Sequence, residues 1–136
     1  MLRPAPALTP EITALLQRAM FPDPARIARA LEAYRAEPDR TVFVWDVGGE
    51  AVSAAGALVT GREAEVLHIG TRLYCAGRGY GRELLRALAA QLNLSQLTAE
   101  TDDGAAGFYR RSGFEIGNAP SRGGRRRYRC TLNLER

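Results

Sequence analysis

Ala76-Gly77-Arg78-Gly79-Tyr80-Gly81-Arg82-Glu83-Leu84-Leu85 is the stretch on which the reading of this chain turns. Its glycines fall at every second position and run into an amphipathic helical pattern, with Leu84, Leu85 and Leu88 on one face. Glycine has no Cβ to hold a ligand off the main chain. A helix N-terminus just behind it offers unpaired N–H groups and a partial positive charge. Together they suit an anion such as phosphate. Arg78 and Arg82 add formal charge. The stretch therefore predicts a phosphate cradle over Gly77, Arg78, Gly79, Tyr80, Gly81 and Arg82.

The spacing excludes two common phosphate loops. A dinucleotide fingerprint needs a third glycine where this chain has Arg82, and a P-loop needs a lysine, of which the chain has none. A glycine-rich turn with no ligand has the same local composition, so a second motif has to decide. It lies about thirty residues on. Glu100-Thr101-Asp102-Asp103-Gly104-Ala105-Ala106-Gly107 leads into Phe108-Tyr109-Arg110-Arg111-Ser112-Gly113-Phe114. With the glycine loop, this resembles the GNAT superfamily of acetyl-CoA-dependent N-acetyltransferases. Gly79, Gly81, Ala105, Phe108, Tyr109, Gly113 and Phe114 match the family pattern in order, and the resemblance spans residues 41–133. Two positions depart from it. Ala76 stands where the family usually has Arg or Gln, a side chain that helps hold pyrophosphate. Asp102 stands where it usually has Asn, which puts a carboxylate near the expected pantetheine arm.

The length suits one domain over residues 1–136, able to bury a core without staples. Hydrophobic content of 46% and charged content of 25% are ordinary for a globular protein. No apolar run approaches the ~20 residues that span a bilayer, and Met1 to Pro6 carries no secretory apolar region. A cytoplasmic protein with no membrane partner is expected. Cys75 and Cys130 have no metal spacing and read as reduced, part-buried thiols; with the lone His68 they make no metal site. The net charge of +4 is carried entirely by arginine. Aromatic content is only 7% and no RNA-binding pattern occurs, so no nucleic-acid partner is expected.

Along the chain, Thr9 and Asp23 read as helix caps, each followed by a proline at the first helical position. Ile12, Leu15 and Leu16 form one apolar stripe; Ile27, Leu31 and Tyr34 form the next. Strands are expected at 41–47, 51–60 and 65–71, with Gly48-Gly49 and Gly61-Arg62 as turns. A helix over 81–92, a strand over 94–101 and a short helix over 103–111 follow. A final hairpin begins at Phe114 and ends over 128–134, around an irregular turn at 118–124. The order ααβββαβαββ implies an α/β (α+β) fold with a mixed sheet flanked by helices, and it is compatible with the mostly antiparallel GNAT-like sheet that the resemblance implies. The family's usual first strand is short or missing before residue 9.

The resemblance implies acetyl-CoA as co-substrate and a primary amine of a small molecule or peptide as acceptor. The amine must attack the thioester in its neutral form, and deprotonating a free alkylammonium at pH 7 costs about 4–5 kcal/mol. Tyr109 matches the tyrosine that often serves the family as general acid to the leaving thiolate. Glu65, eleven residues before Ala76, matches a general-base glutamate of some members. His68, placed by a regular strand on the face opposite Glu65, and Glu100 are alternatives. Ile69, Gly70 and Thr71 are expected to hold pantetheine by main-chain bonds, with Gly70 admitting the thioester. Asp102 and Phe108 complete the implied cofactor site. Arg122 and Arg125 to Arg129 form the densest charge and would favour an anionic acceptor if they border its pocket. Two other readings stand beside this one: an acyl-CoA-binding module without turnover, and a basic RNA-associated domain. A monomer and a homodimer are equally compatible.

Overall fold

A computed structural model describes residues 1–135. Twelve elements follow one another, including β1 (Leu2–Pro4), α1 (Pro10–Gln17), α2 (Pro24–Ala36), β2 (Arg40–Val47), β3 (Glu50–Thr60) and β4 (Glu63–Thr71). A 3-10 turn at Leu73–Cys75 leads to α3 (Tyr80–Gln91). Then come β5 (Gln96–Thr101), α4 (Asp103–Arg111), β6 (Glu115–Arg122) and β7 (Arg125–Asn133). The sheet has the order β1-β2-β3-β4-β5-β7-β6. Only β4 and β5 run parallel, joined through α3.

Local chemistry starts the helices where the sequence places them. Thr9 accepts a hydrogen bond from the Ile12 N–H, and Asp23 accepts from Ala25 and Arg26. Each leaves a proline at the start of its helix, where a missing N–H costs nothing. Two apolar clusters sandwich the sheet. Ile12, Leu16, Leu31 and Tyr34 from α1 and α2 pack on Val42, Val44 and Ala54. Leu84, Leu85 and Leu88 of α3, with Tyr109 of α4, pack on the other face over Val66, Leu97, Ala99 and Cys130.

Three expectations need correcting. The order gains a strand before α1: Leu2–Pro4 pairs antiparallel with β2, tied down by the Arg3–Asp46 ion pair at 2.6 Å. Three residues with a proline at the sheet edge are too short to show an alternating pattern. The last hairpin has no long irregular turn. β6 reaches Arg122, and Gly123-Gly124, with φ of 56° and 74°, closes a two-residue turn of the kind that needs left-handed backbone. Finally, β4 is not regular. Its register with β3 slips between Gly56 and Ala57, so Leu67 is an extra residue. Ala64 and Val66 face α3, which turns Glu65 toward the α1/α2 side; after the bulge, His68 also faces α2. Glu65 and His68 therefore share a face.

Candidate active site

β4 and β5 pair from Glu63/Gln96 to Val66/Ala99 and then part, although β4 continues to Thr71 and β5 to Thr101. A wedge-shaped seam opens in the middle of the sheet. The Arg72 N–H bonds the Val52 carbonyl. By two-residue alternation, Gly70 also bonds toward β3, while the main-chain groups of Ile69 and Thr71 face the seam. Ser53, fully buried, donates to the Gly70 carbonyl at 3.0 Å and lies 3.0 Å from Thr71 Oγ1, which braces this edge. Gly70 is a glycine for a different reason from the one expected. A Cβ there would lie 1.9 Å from the Leu15 carbonyl oxygen, so it admits α1 rather than a thioester.

The glycine loop stands at one end of this seam. Gly79 caps α3 with φ of 81° and Gly77 has φ of 82°; nothing lies near where either Cβ would stand. Backbone shape alone requires glycine at these two positions. The first main-chain bond into the helix runs from the Glu83 N–H to the Gly79 carbonyl, and no side chain caps it. The N–H groups from Gly77 to Arg82 thus have no partner among the described residues. Arg78 and Arg82 are exposed, with no ion pair among the described residues. Tyr80 is half-buried at the first helical position. Gly81 is buried, and a Cβ there would meet the Phe108 ring at 3.1 Å and Thr71 Oγ1 at 3.6 Å. Its bare Cα therefore joins α3, α4 and the end of β4.

Across the seam, α4 carries Tyr109. Its ring packs edge-on against Phe108 and Phe114, with centroids 5.0 and 5.2 Å away. Its hydroxyl makes no hydrogen bond with the described residues, yet is not sealed from solvent. Burial, and secondarily Cys130, hold the phenol well above the ordinary tyrosine range. Asp102 is exposed and serves as the α4 cap, accepting from the Gly104 N–H at 3.0 Å. That bond explains a carboxylate at this position without a cofactor contact.

The opposite mouth of the seam is charged. Glu65 is half-buried on this side. Leu97 and Ala99 of β5 point into the core under α3 and α4, so Thr98, which is buried, and Glu100, half-buried, lie on the Glu65 side. Glu100 lies 3.6 Å from Arg127 and 3.7 Å from Arg122, and Arg127 also donates to the Glu100 carbonyl at 3.3 Å. Two arginines of the basic hairpin are thus engaged with the Glu100 carboxylate. Arg125 and Arg126, with Asp102, Asp103, Gly104 and Ser121, line an open groove of about 680 Å³ beside α4. Among the described residues, no cluster of His, Cys, Asp or Glu could hold a metal ion, and no helix is long and apolar enough to cross a membrane. Tyr34, bonded to His68, was missed as a member of this face. The bulge that aligns them leaves no mark in the sequence, although Gly56 in an apolar strand is a weak pointer.

Residues 38–116, more than half of the chain, match the acetyltransferase (GNAT) domain family. The chain belongs to the GNAT acetyltransferase family. Solved structures agree on the GNAT fold. An acetyltransferase from Thermus thermophilus is 25% identical, with a TM-score of 0.71 over 98% of this chain and 97% of that one. A Bacillus subtilis acetyltransferase in complex with CoA is 18% identical, with a TM-score of 0.73 over 98% and 97%. The ribosomal-protein-S18-alanine N-acetyltransferase from Escherichia coli is 22% identical, with a TM-score of 0.73 over 100% and 96%. No curated protein sequence matches this GNAT chain.

Proposed function

We propose that this protein transfers the acetyl group of acetyl-CoA to a primary amine of a small molecule or peptide, by direct attack and without a covalent enzyme intermediate. The observation that carries the reading is the parting of β5 from β4 beside unpartnered N–H groups at the head of α3. A diphosphate suits those N–H groups, with Arg78 and Arg82 as charge partners. A pantetheine arm suits the main-chain groups of Ile69 and Thr71 along the seam, as a strand suits an extended chain. The related fold of the B. subtilis protein in complex with CoA supports this placement. We place the reaction in the cytoplasm.

Such a ligand would carry its thioester through the sheet, to meet an amine on the Glu65 side. In this reading the Glu65 carboxylate attracts the ammonium and accepts its proton. Nitrogen then bonds the carbonyl carbon, main-chain N–H groups of β4 meet the oxyanion, and as it collapses the C–S bond breaks and the nitrogen gives its second proton to water. Tyr109 faces the departing sulfur. With its pKa raised by burial, it serves as a hydrogen-bond donor, and the thiolate takes its proton from water.

Release of free CoA thiol on a panel of amino acids, peptides, polyamines and aminoglycosides tests the proposal. Tyr109→Phe is expected to lower kcat about 10²-fold with little change in acetyl-CoA affinity. The same weak acidity of Tyr109 favours one other reading, an acyl-CoA-binding module. Tight binding with no thiol release on any amine would select it.

A further inference from the structure

We infer that His68 presents a fixed hydrogen-bond donor, its Nε2–H, to the acceptor, and that the acceptor is an amine with a carbonyl oxygen close to its nitrogen, as in an α-amino amide or a peptide N-terminus. The inference rests on the reading of the seam given above.

Tyr34 Oη and His68 Nδ1 lie 2.6 Å apart, and the rings meet edge-on with centroids 5.7 Å apart. The contact is built in from three elements. The bulge at Leu67 turns His68 toward α2. Gly56 is the cross-strand partner of His68, and a Cβ there would lie 2.1 Å from Tyr34 Oη, so only glycine leaves room for the phenol. Tyr34 descends from α2 into that space.

The bond has a direction. Tyr34 Oη has no other partner among the described residues. Burial raises its pKa well beyond the ordinary tyrosine value, so the hydroxyl keeps its hydrogen. A buried hydroxyl with one acceptor in reach donates to it. Nδ1 is then the acceptor, and the hydrogen of the neutral ring sits on Nε2. The ring stays neutral because burial, and after it Arg40 at the start of β2, lower its pKa. This side also carries Glu65 of β4, Glu100 of β5 with Arg127 and Arg129 of β7, and Arg18 just after α1.

The two ring nitrogens point apart, so Nε2 points away from Tyr34. It has no partner among the described residues and is not sealed from solvent. His68 immediately precedes Ile69, whose main-chain groups face the seam. It also shares the acceptor side with Glu65. A carboxylate for the ammonium and a neutral N–H for an adjacent oxygen together match an amine with a neighbouring carbonyl. A plain alkylamine or polyamine would cover the Nε2–H and leave it unpaired. A donor in this position cannot also take the amine's proton, which leaves that role to Glu65.

His68 is the only histidine, so its ring nitrogens give one unambiguous set of signals in long-range 1H–15N spectra. The expected result at pH 7 is a neutral ring protonated at Nε2. In Tyr34→Phe, which leaves Nδ1 without its donor, the two neutral tautomers should mix. A wild-type ring protonated at Nδ1, or doubly protonated, overturns the inference. Turnover supplies the second arm, with alaninamide and isopropylamine as probes. His68→Leu should raise KM for alaninamide about tenfold relative to its effect on isopropylamine, and His68→Gln, which keeps an N–H donor, should recover most of that loss. Equal losses on both amines, or no turnover of alaninamide by protein that binds acetyl-CoA in calorimetry, would refute it. Absence of acetyl-CoA binding would sink the underlying function as well, and the calorimetry tells the two failures apart.

Discussion

Gly70 and His68 show how single positions on β4 shape the seam. Gly70 lies under the Leu15 carbonyl with no space for a methyl group. Gly70→Ala should force α1 outward at a cost of about 1–3 kcal/mol, lowering Tm by roughly 4–12 °C. Gly77→Ala meets open space and only an unfavourable φ, so it should cost about 1 kcal/mol. Thermal melts of the two variants separate packing from backbone strain. His68 links stability to pH. Its pKa is lowered in the folded protein, by burial first and Arg40 second. Above ~6.5 the ring is neutral in both states and contributes no slope. As pH falls below ~6.5, the unfolded chain takes up a proton that the folded chain resists, so stability declines until the folded pKa is passed. Urea unfolding between pH 7 and pH 5 should therefore show a shallower decline for His68→Gln than for wild type; parallel curves would contradict a neutral buried ring.

At the scale of elements, the sequence announces what local chemistry decides. The Thr9-Pro10 and Asp23-Pro24 starts, the helix with Leu84, Leu85 and Leu88 inward, and the Gly113-Phe114 close after Tyr109 are each fixed by residues within one turn of each other. The elements that were misjudged depend on a partner elsewhere. β1 exists because β2 offers an edge, and β6 extends because β7 pairs with it through arginine-rich residues that carry no alternating pattern. The bulge at Leu67 arises between two strands and is invisible in either. The head of α3 was legible because its left-handed backbone calls for glycine at positions close together in the sequence. If its N–H groups hold a diphosphate, Arg78→Ala and Arg82→Ala should each raise the Kd for CoA about tenfold at low salt, and less at high salt, as exposed charges are screened. Calorimetry at two ionic strengths reads this directly.

At the scale of the molecule, the two faces of the sheet are covered unequally. The main contacts of α1 and α2 are with β2, β3 and β4, whereas α3 and α4 together reach every strand from the other side. The half-sheet β5-β7-β6 therefore lacks a major helix contact on the face where Glu65, His68 and Glu100 point. This asymmetry leaves an acceptor a way to the seam, and it follows from helix placement that no stretch of sequence specifies. The Arg122–Glu100–Arg127 group lies on that face. Glu100→Ala would leave a half-buried guanidinium without its carboxylate and should cost about 1–2 kcal/mol in a denaturant melt. The proposed function requires that a phosphorylated, extended ligand be gripped at residues 77–82 and lie between β4 and β5. Titration of CoA into the folded protein, followed by heat, measures this most directly. Saturable binding that is weakened by loss of Arg78 or Arg82 is the predicted result. No measurable binding, or binding indifferent to both arginines, would contradict it.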